Sequence, residues 1–182
     1  ALSPMDWWLE YLRAEQACQY EPLAAVSMLR PLLGAMPWNV NLTLKLHDLL
    51  QQSPTMAELT PGNAVVGLYT WNKADFIGPT LEAVLASDIG DCPVLVLDNG
   101  STDTTPQVLA GIQDKYGAER VHIVRLPVNI GAPAARNWLL SMPMARQSKY
   151  VAFVDDDATV AGDWLQQMLT TALANPQAGA VG

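Results

Sequence analysis

The residues that decide the fold are Tyr150-Val151-Ala152-Phe153-Val154-Asp155-Asp156-Asp157, a short apolar run that ends in three consecutive carboxylates. The apolar run predicts a buried strand. Three adjacent Asp side chains repel one another unless a cation neutralises them or water solvates them. Mg²⁺ prefers oxygen ligands and commonly joins one or two carboxylates to a substrate phosphate. The stretch therefore predicts either a metal-assisted site for a phosphorylated ligand or a solvated acidic turn that caps the next helix.

Short apolar runs and helical periodicity alternate on both sides of this stretch. The alternation predicts an α/β fold, Rossmann-like, whose mostly parallel sheet is covered by helices on both faces. The predicted strands are Ala64–Tyr69, Val94–Leu97, Val121–Val124 and Tyr150–Val154. The predicted helices are Pro79–Ala86, Thr105–Tyr116, Ala132–Leu140 and Asp163–Ala174.

The unusual polar residues of this domain lie in the loops that follow the predicted strands. The carboxyl ends of parallel strands share one edge of the sheet, and ligands of α/β folds bind there. We therefore expect a single site at that edge. It would be formed by the loops Thr70–Lys73, Asp98–Asp103, Pro127–Gly131 and Asp155–Ala158.

Residues 1–60 lack strand alternation and predict a small all-α region. We expect Pro31 to disturb the second helix, and Gly34 with Pro37 to end it. The chain would then consist of a helical N-terminal region, residues 1–60, and an α/β domain, residues 61–182. The predicted helix starts are Ser3-Pro4, Glu21-Pro22 and Asn39.

Composition excludes several classes of protein. The chain has 182 residues and a formal net charge of −8, and its Lys and Arg residues form no basic stripe, which argues against a nucleic-acid partner. No run of 18 apolar residues predicts a membrane span, and no N-terminal pattern predicts a signal peptide. Cys18 and Cys92 are far apart in the sequence, which predicts reduced thiols in a cytoplasmic protein.

Residues 179–182 resemble the start of another strand, so we expect an incomplete domain.

Asp98 stands at the end of a predicted strand, where its carboxylate can accept hydrogen bonds from hydroxyls or from the N–H of a base. We expect this residue to contact a ligand. Ser101, Thr102 and Asp103 are instead predicted to cap the helix that begins near Thr105.

Trp71 and Arg136 each leave two roles open. The indole of Trp71 could stack on a nucleobase, or it could fold back onto the N-terminal helices. Arg136 could bind a phosphate or pair with a carboxylate of the acidic loop, and both roles can coexist. Gly131 and the small residues after it allow a ligand to approach the start of the following helix closely.

Four segments together resemble the family 2 glycosyltransferases of the GT-A fold: Ala64–Lys73, Pro93–Asp103, Asn129–Trp138 and Tyr150–Asp157. Residues 98–103 resemble the family's D-D/N-G-S-T/x-D turn, and residues 129–137 resemble its N-x-G-x-x-x-A-R-N segment. Residues 155–157 fit its D-x-D metal motif. The resemblance covers about residues 63–182 and implies the nucleotide-sugar-binding half of a truncated GT-A domain.

The resemblance implies metal-dependent, inverting transfer of a sugar from a nucleoside-diphosphate donor to a hydroxyl acceptor. Asp155 and Asp157 would ligate Mg²⁺ or Mn²⁺. Inverting members use a base downstream of the D-x-D motif, so the base is expected beyond Gly182 and this chain is expected to bind the donor only. The donor-binding residues that the resemblance implies are Thr70, Trp71, Asn72, Asp98, Asn99, Asn129, Gly131, Arg136, Asp155 and Asp156.

Two other functions compete with this interpretation. The segment from Phe153 to Thr159 also resembles the D-x-D-x-T motif of haloacid-dehalogenase phosphatases, in which Asp155 would be the nucleophile and Asp157 the acid/base. A non-catalytic relative of the glycosyltransferases could instead bind protein partners through residues 1–60.

Overall fold

The structure, a computed structural model, describes residues 4–50 and 63–182. It forms two compact units, one within residues 1–55 and the other within residues 56–182. The predicted boundary at residues 60 and 61 lies outside the described residues, so its position stays a prediction.

Residues 4–50, the described part of the N-terminal unit, contain helices and no strand, as predicted. Asn39 caps the third helix as expected, because its Oδ1 accepts a hydrogen bond of 3.2 Å from the backbone N–H of Leu42. A small apolar core joins the helices, formed by Ala14, Val26, Leu29, Leu32, Met36, Leu42 and Leu46. The helices are α1 (Pro4–Tyr20), α2 (Pro22–Ala35) and α3 (Val40–Leu50).

The prediction that Pro31 disturbs α2 is wrong, because the helix continues through this residue. The predicted end near Gly34 and Pro37 is confirmed: the helix ends at Ala35, and the N–H of the following Met36 donates to the carbonyls of Leu32 and Leu33. A proline removes one backbone hydrogen bond, and a glycine in a helix costs about 1 kcal/mol relative to alanine. The fully buried side chains of Leu29 and Leu32 hold this segment in the helix.

The second unit contains a parallel four-stranded sheet in the order β3-β2-β1-β4. This confirms the predicted α/β fold. Each strand begins at the predicted residue. The first three extend one residue further than expected, and the last ends one residue earlier. The strands are β1 (Ala64–Thr70), β2 (Val94–Asp98), β3 (Val121–Arg125) and β4 (Tyr150–Phe153).

Helices cover both faces of the sheet, because successive residues of a strand point to opposite faces. Val66 and Leu68 pack in one core cluster with α4, α5 and α8, and Val65 packs in another with α6 and α7. The helices are α4 (Ala74–Ala86), α5 (Thr105–Tyr116), α6 (Ala132–Ser141), α7 (Pro143–Gln147) and α8 (Trp164–Ala174). Within the described parts of the chain, no helix is long and apolar enough to span a bilayer.

Three details differ from expectation. Helix α4 begins at Ala74 and not at Pro79, because the carbonyl of Lys73 already accepts the N–H groups of Phe76 and Ile77. The short helix α7 was not predicted, since five residues are too few to show a period. Residues 179–182 are described and form no strand.

Candidate functional site

The loops that follow the four strands lie at one edge of the sheet, as predicted. In the parallel register Thr70 stands opposite Asp98, and Asp98 stands opposite Arg125, so β1, β2 and β3 end at the same level. β4 ends opposite Gly67 of β1. We call these loops, residues 70–73, 98–103, 127–131 and 155–158, the rim. Hydrogen bonds and ion pairs connect each rim loop to another part of the domain.

Asp156, the middle residue of the acidic loop, points into the protein. The hydroxyl of Thr70 donates to its Oδ2 over 2.8 Å, and the hydroxyl of Thr80 donates to its backbone carbonyl over 3.2 Å. Both threonines are buried. Asp156 therefore attaches the acidic loop to the end of β1 and to α4.

Asp155 and Asp157 point outward, and each is paired with a cation. Lys73 Nζ lies 2.9 Å from Asp157 Oδ2, and Arg136 Nη2 lies 3.2 Å from Asp155 Oδ1. The hydrogen bond from Lys73 lowers the pKa of the Asp157 carboxyl below its usual value. The Arg136 guanidinium also lies 5.0 Å from the centre of the Tyr69 ring, a cation–π contact that holds it beside the acidic loop.

Asp98 is turned away from solvent. Its side chain is 1% exposed, its Oδ1 accepts the backbone N–H of Ser101 over 2.8 Å, and Arg125 Nε lies 3.2 Å from its Oδ2. Among the buried side-chain nitrogen and oxygen atoms of the described residues, this Oδ2 is the one that lacks a well-aligned hydrogen bond. Asp98 thus orders its own loop. The predicted ligand contact would require this loop to open, and it stays a prediction.

Asn99 and Asn129 connect the second and third rim loops. Asn99 Nδ2 donates to Asn129 Oδ1 over 3.0 Å, and Asn99 Oδ1 accepts the backbone N–H of Ile130 over 3.0 Å. Asn129 Oδ1 also accepts the N–H of Gly131 over 2.7 Å. Because these amide groups are used within the protein, the structure assigns the two asparagines a role in shaping the rim, and their donor contacts stay predictions.

Asn72 connects the first rim loop to the second and adopts a positive φ of 52°. Its Oδ1 accepts the N–H of Thr102 over 2.8 Å, and its own N–H donates to Ser101 Oγ over 2.9 Å. The prediction that Ser101 and Thr102 cap α5 is therefore wrong. Asp103 does accept the first helical N–H, from Thr105, over 2.9 Å.

Trp71 projects from the rim and is 48% exposed. Exposed indole surface is unfavourable in water, and a flat ring stacked on it would recover that cost. Stacking on a nucleobase is compatible with this exposure and stays a prediction.

The sequence profile of glycosyl transferase family 2 matches residues 65–182, which contain the whole rim. The chain belongs to this family. Two relatives are 33% identical to it: TuaG of Bacillus subtilis (strain 168), named for teichuronic acid biosynthesis, over 116 residues, and the succinoglycan biosynthesis protein ExoO of Rhizobium meliloti (strain 1021), over 119 residues. These matches cover 64% and 65% of this chain, which spans only 41% and 32% of the relatives' own lengths.

Solved structures confirm the GT-A-like fold of this family 2 chain. The mannosyltransferase PcManGT of Pyrobaculum calidifontis, in complex with GDP-Man and Mn²⁺, matches 91% of the chain at a TM-score of 0.57 and 19% identity. TarS of S. aureus (residues 1–349), in complex with UDP-GlcNAc, matches 63% at a TM-score of 0.51 and 24% identity. The chain covers 44% and 32% of these two proteins.

The contacts of three residues in this family 2 domain were not predicted: Lys73 pairs with Asp157, Thr80 donates to Asp156, and Tyr69 holds Arg136. The place of Lys73 directly after β1 could have indicated that it lies beside the acidic loop. Nothing in the sequence marks Thr80, because it lies inside α4 and meets Asp156 only through the fold.

The acidic loop can be compared with the needs of a metal ion. Within residues 4–50 and 63–182, no three His, Cys, Asp or Glu side chains are grouped so as to hold a metal ion. Asp155 and Asp157 nevertheless fit a hard cation, because both are exposed carboxylates and both already pair with a positive charge. A divalent ion would need further oxygen ligands from a bound molecule.

Proposed function

We propose that the rim binds a nucleoside-diphosphate sugar, and that the protein transfers the sugar to a hydroxyl acceptor with metal dependence and inversion. The proposal rests on one observation: Lys73 and Arg136 form ion pairs with the acidic loop of a family 2 domain. Carboxylates that can hold a divalent ion then lie beside cations that can hold phosphate. The GDP-Man and Mn²⁺ of PcManGT and the UDP-GlcNAc of TarS support this class of donor.

In this proposal Trp71 stacks on the nucleobase, and Arg136 and Lys73 neutralise the diphosphate. Asp155 and Asp157 hold Mg²⁺ or Mn²⁺ together with oxygens of the donor. A metal bound there would supply Lewis-acid stabilisation of the leaving diphosphate. Tyr69 would keep the Arg136 guanidinium in place while the carboxylate of Asp155 is engaged elsewhere.

We also propose that this chain binds the donor without transferring the sugar. A general base must be free to accept a proton from the acceptor hydroxyl. The carboxylates of the rim are held by partners within the protein: Asp98, Asp103, Asp155, Asp156 and Asp157. We therefore place the base on a carboxylate outside the rim.

The phosphatase alternative is wrong, because residues 65–182 match family 2, and the acidic loop follows an edge strand of its sheet. The family match does not test the adaptor function of residues 1–60, which stays an alternative.

We propose a cytoplasmic location, since Cys18 and Cys92 are free thiols, as expected in a reducing compartment.

We expect a nucleoside diphosphate with Mn²⁺ to raise the free energy of unfolding by mass action, by about 2.7 kcal/mol when the nucleotide is at a hundredfold excess over its Kd.

Asp157→Asn should weaken nucleotide binding by about tenfold or more in Mn²⁺ and leave binding in chelator unchanged. Calorimetry on the wild type and on Asp157→Asn measures the nucleotide affinity under both conditions. Asp114→Asn, an exposed site on α5, is the matched control. Failure of guanosine, uridine and other diphosphates to bind in Mn²⁺ or Mg²⁺ would refute the donor site.

We expect Lys73→Met to tighten binding of Mn²⁺ in the absence of nucleotide. The ammonium group of Lys73 pairs with the Asp157 carboxylate and so competes with the metal for it. Because an exposed ion pair is weak, the Mn²⁺ affinity should rise by only about two- to fivefold. Electron paramagnetic resonance of free Mn²⁺ measures the affinity. Lys115→Met, which removes an exposed pair with Glu82, should change nothing. Equal Mn²⁺ affinity in wild type and Lys73→Met would show that Lys73 does not compete.

A further inference from the structure

The three consecutive aspartates of the acidic loop differ in their surroundings. Asp155 and Asp157 are exposed and pair with charged side chains, whereas Asp156 is half-buried and accepts hydrogen bonds from two hydroxyls. Thr70 is fully buried and Thr80 is 3% exposed. We call Thr70, Thr80 and Asp156 the threonine clamp.

The threonine clamp is attached to rigid structure. Thr70 is the last residue of β1, and its carbonyl accepts the N–H of Asn99 over 2.8 Å. The N–H of Val154 donates to the carbonyl of Gly67 over 3.1 Å, so the chain enters the acidic loop from a fixed position. A buried hydroxyl that loses its acceptor keeps the cost of its removal from water, so the clamp resists opening.

The clamp fixes the directions of its neighbours. With the backbone carbonyl of Asp156 bonded to Thr80 and its carboxylate bonded to Thr70, the residues before and after it must leave in set directions. In the structure they reach Arg136 and Lys73, at 3.2 and 2.9 Å. Divalent metals tolerate errors of only about 0.2 Å in ligand distance, so two carboxylates that are set in advance favour their binding.

We propose that Asp156 is a positioning residue, and that the threonine clamp sets Asp155 and Asp157 for a divalent metal bound with a nucleoside diphosphate. The inference rests on the proposed donor site. It differs from the donor contacts that the family resemblance implies for Thr70 and Asp156, because the hydroxyl and the carboxylate bind each other and do not touch the donor.

The test compares variants that keep or remove the hydroxyl and its acceptor. Thr70→Val keeps the shape of the side chain and removes the donor group, and Thr70→Ser keeps the hydroxyl. Asp156→Asn keeps an acceptor oxygen, and Asp156→Ala removes it. Mn²⁺ affinity with saturating nucleoside diphosphate and nucleotide affinity in chelator are measured, together with the Mn²⁺ resonance spectrum and thermal melting.

We expect Thr70→Val and Asp156→Ala to weaken Mn²⁺ by about tenfold or more, as loss of groups that orient metal ligands does. Both should broaden the Mn²⁺ spectrum and leave nucleotide affinity in chelator unchanged. Thr70→Ser and Asp156→Asn should stay close to wild type.

Three outcomes would overturn the inference and leave the proposed donor site standing. Equal losses in chelator and in Mn²⁺ would mean that these residues contact the nucleotide. A loss in Asp156→Asn as large as in Asp156→Ala would make Asp156 a direct ligand. Unchanged Mn²⁺ affinity in folded Thr70→Val would mean that the clamp positions nothing. If wild type bound no diphosphate with metal, the donor site itself would fall, and the role of the clamp with it.

Discussion

Gly100→Ala should destabilise the α/β domain by about 2–5 kcal/mol, through backbone strain and overpacking together. Gly100 has a φ of +79°, which side chains with a Cβ rarely adopt. A Cβ at this position would lie 2.4 Å from the carbonyl carbon of Val128 and 2.7 Å from the nitrogen of Asn129. Both atoms are backbone, so the third rim loop would have to move to admit a methyl group.

Urea denaturation measures this loss, and nucleotide binding should weaken with it because the two central rim loops separate. Gly111→Ala is the matched control: Gly111 is exposed inside α5, and a Cβ there would contact nothing within 4 Å. That change should raise the free energy of unfolding by roughly 0.5–1 kcal/mol. A Gly100→Ala protein as stable as wild type would show that the contact with Val128 is not tight.

Arg125→Leu should destabilise the domain by about 3 kcal/mol, because it leaves the buried Asp98 carboxylate without its cation. The side chain of Asp98 is 1% exposed, and Arg125 also donates to the carbonyl of Ser101 over 3.1 Å. Adding Asp98→Asn to Arg125→Leu should recover part of the loss, since the amide keeps an acceptor for the N–H of Ser101 and carries no charge.

The matched control for the Arg125–Asp98 pair is Arg136→Leu, which removes a guanidinium group from the exposed Asp155. Asp155 is 71% exposed, so its loss of a partner should cost no more than about 1 kcal/mol. Chemical denaturation of the three variants gives the comparison. Equal costs for Arg125→Leu and Arg136→Leu would mean that the loop backbone alone compensates the charge of Asp98.

The strands and the rim could be predicted because their signals are local. Each apolar run covered by helices reads as a buried strand, and parallel strands must bring their following loops to one edge. The start of α4 could not be predicted in this way. Helix α4 begins at Ala74 partly because Asp103, far along the chain, accepts its N–H at 3.4 Å, and no pattern near Ala74 shows this.

The partners within the rim could not be predicted, for the same reason. Positions 155, 156 and 157 all carry aspartate, so the sequence does not show which side chain turns inward. The buried hydroxyls of Thr70 and Thr80 decide this. The burial of Asp98 depends likewise on Arg125 at the end of the neighbouring strand. Such choices follow from tertiary contacts, which the spacing of residues along the chain does not contain.

β1 lies inside the sheet, bonded to β2 along one edge and to β4 along the other. Its amide hydrogens can exchange with solvent only in openings that also detach a neighbouring strand, whereas the outer strands open more locally. Thr70 is the last residue of β1, so Asp156 is tied to an inner strand of the sheet. The exposed side chains of Asp155 and Asp157 can change rotamer within nanoseconds, while the backbone that carries them opens only on the slower timescale of local unfolding.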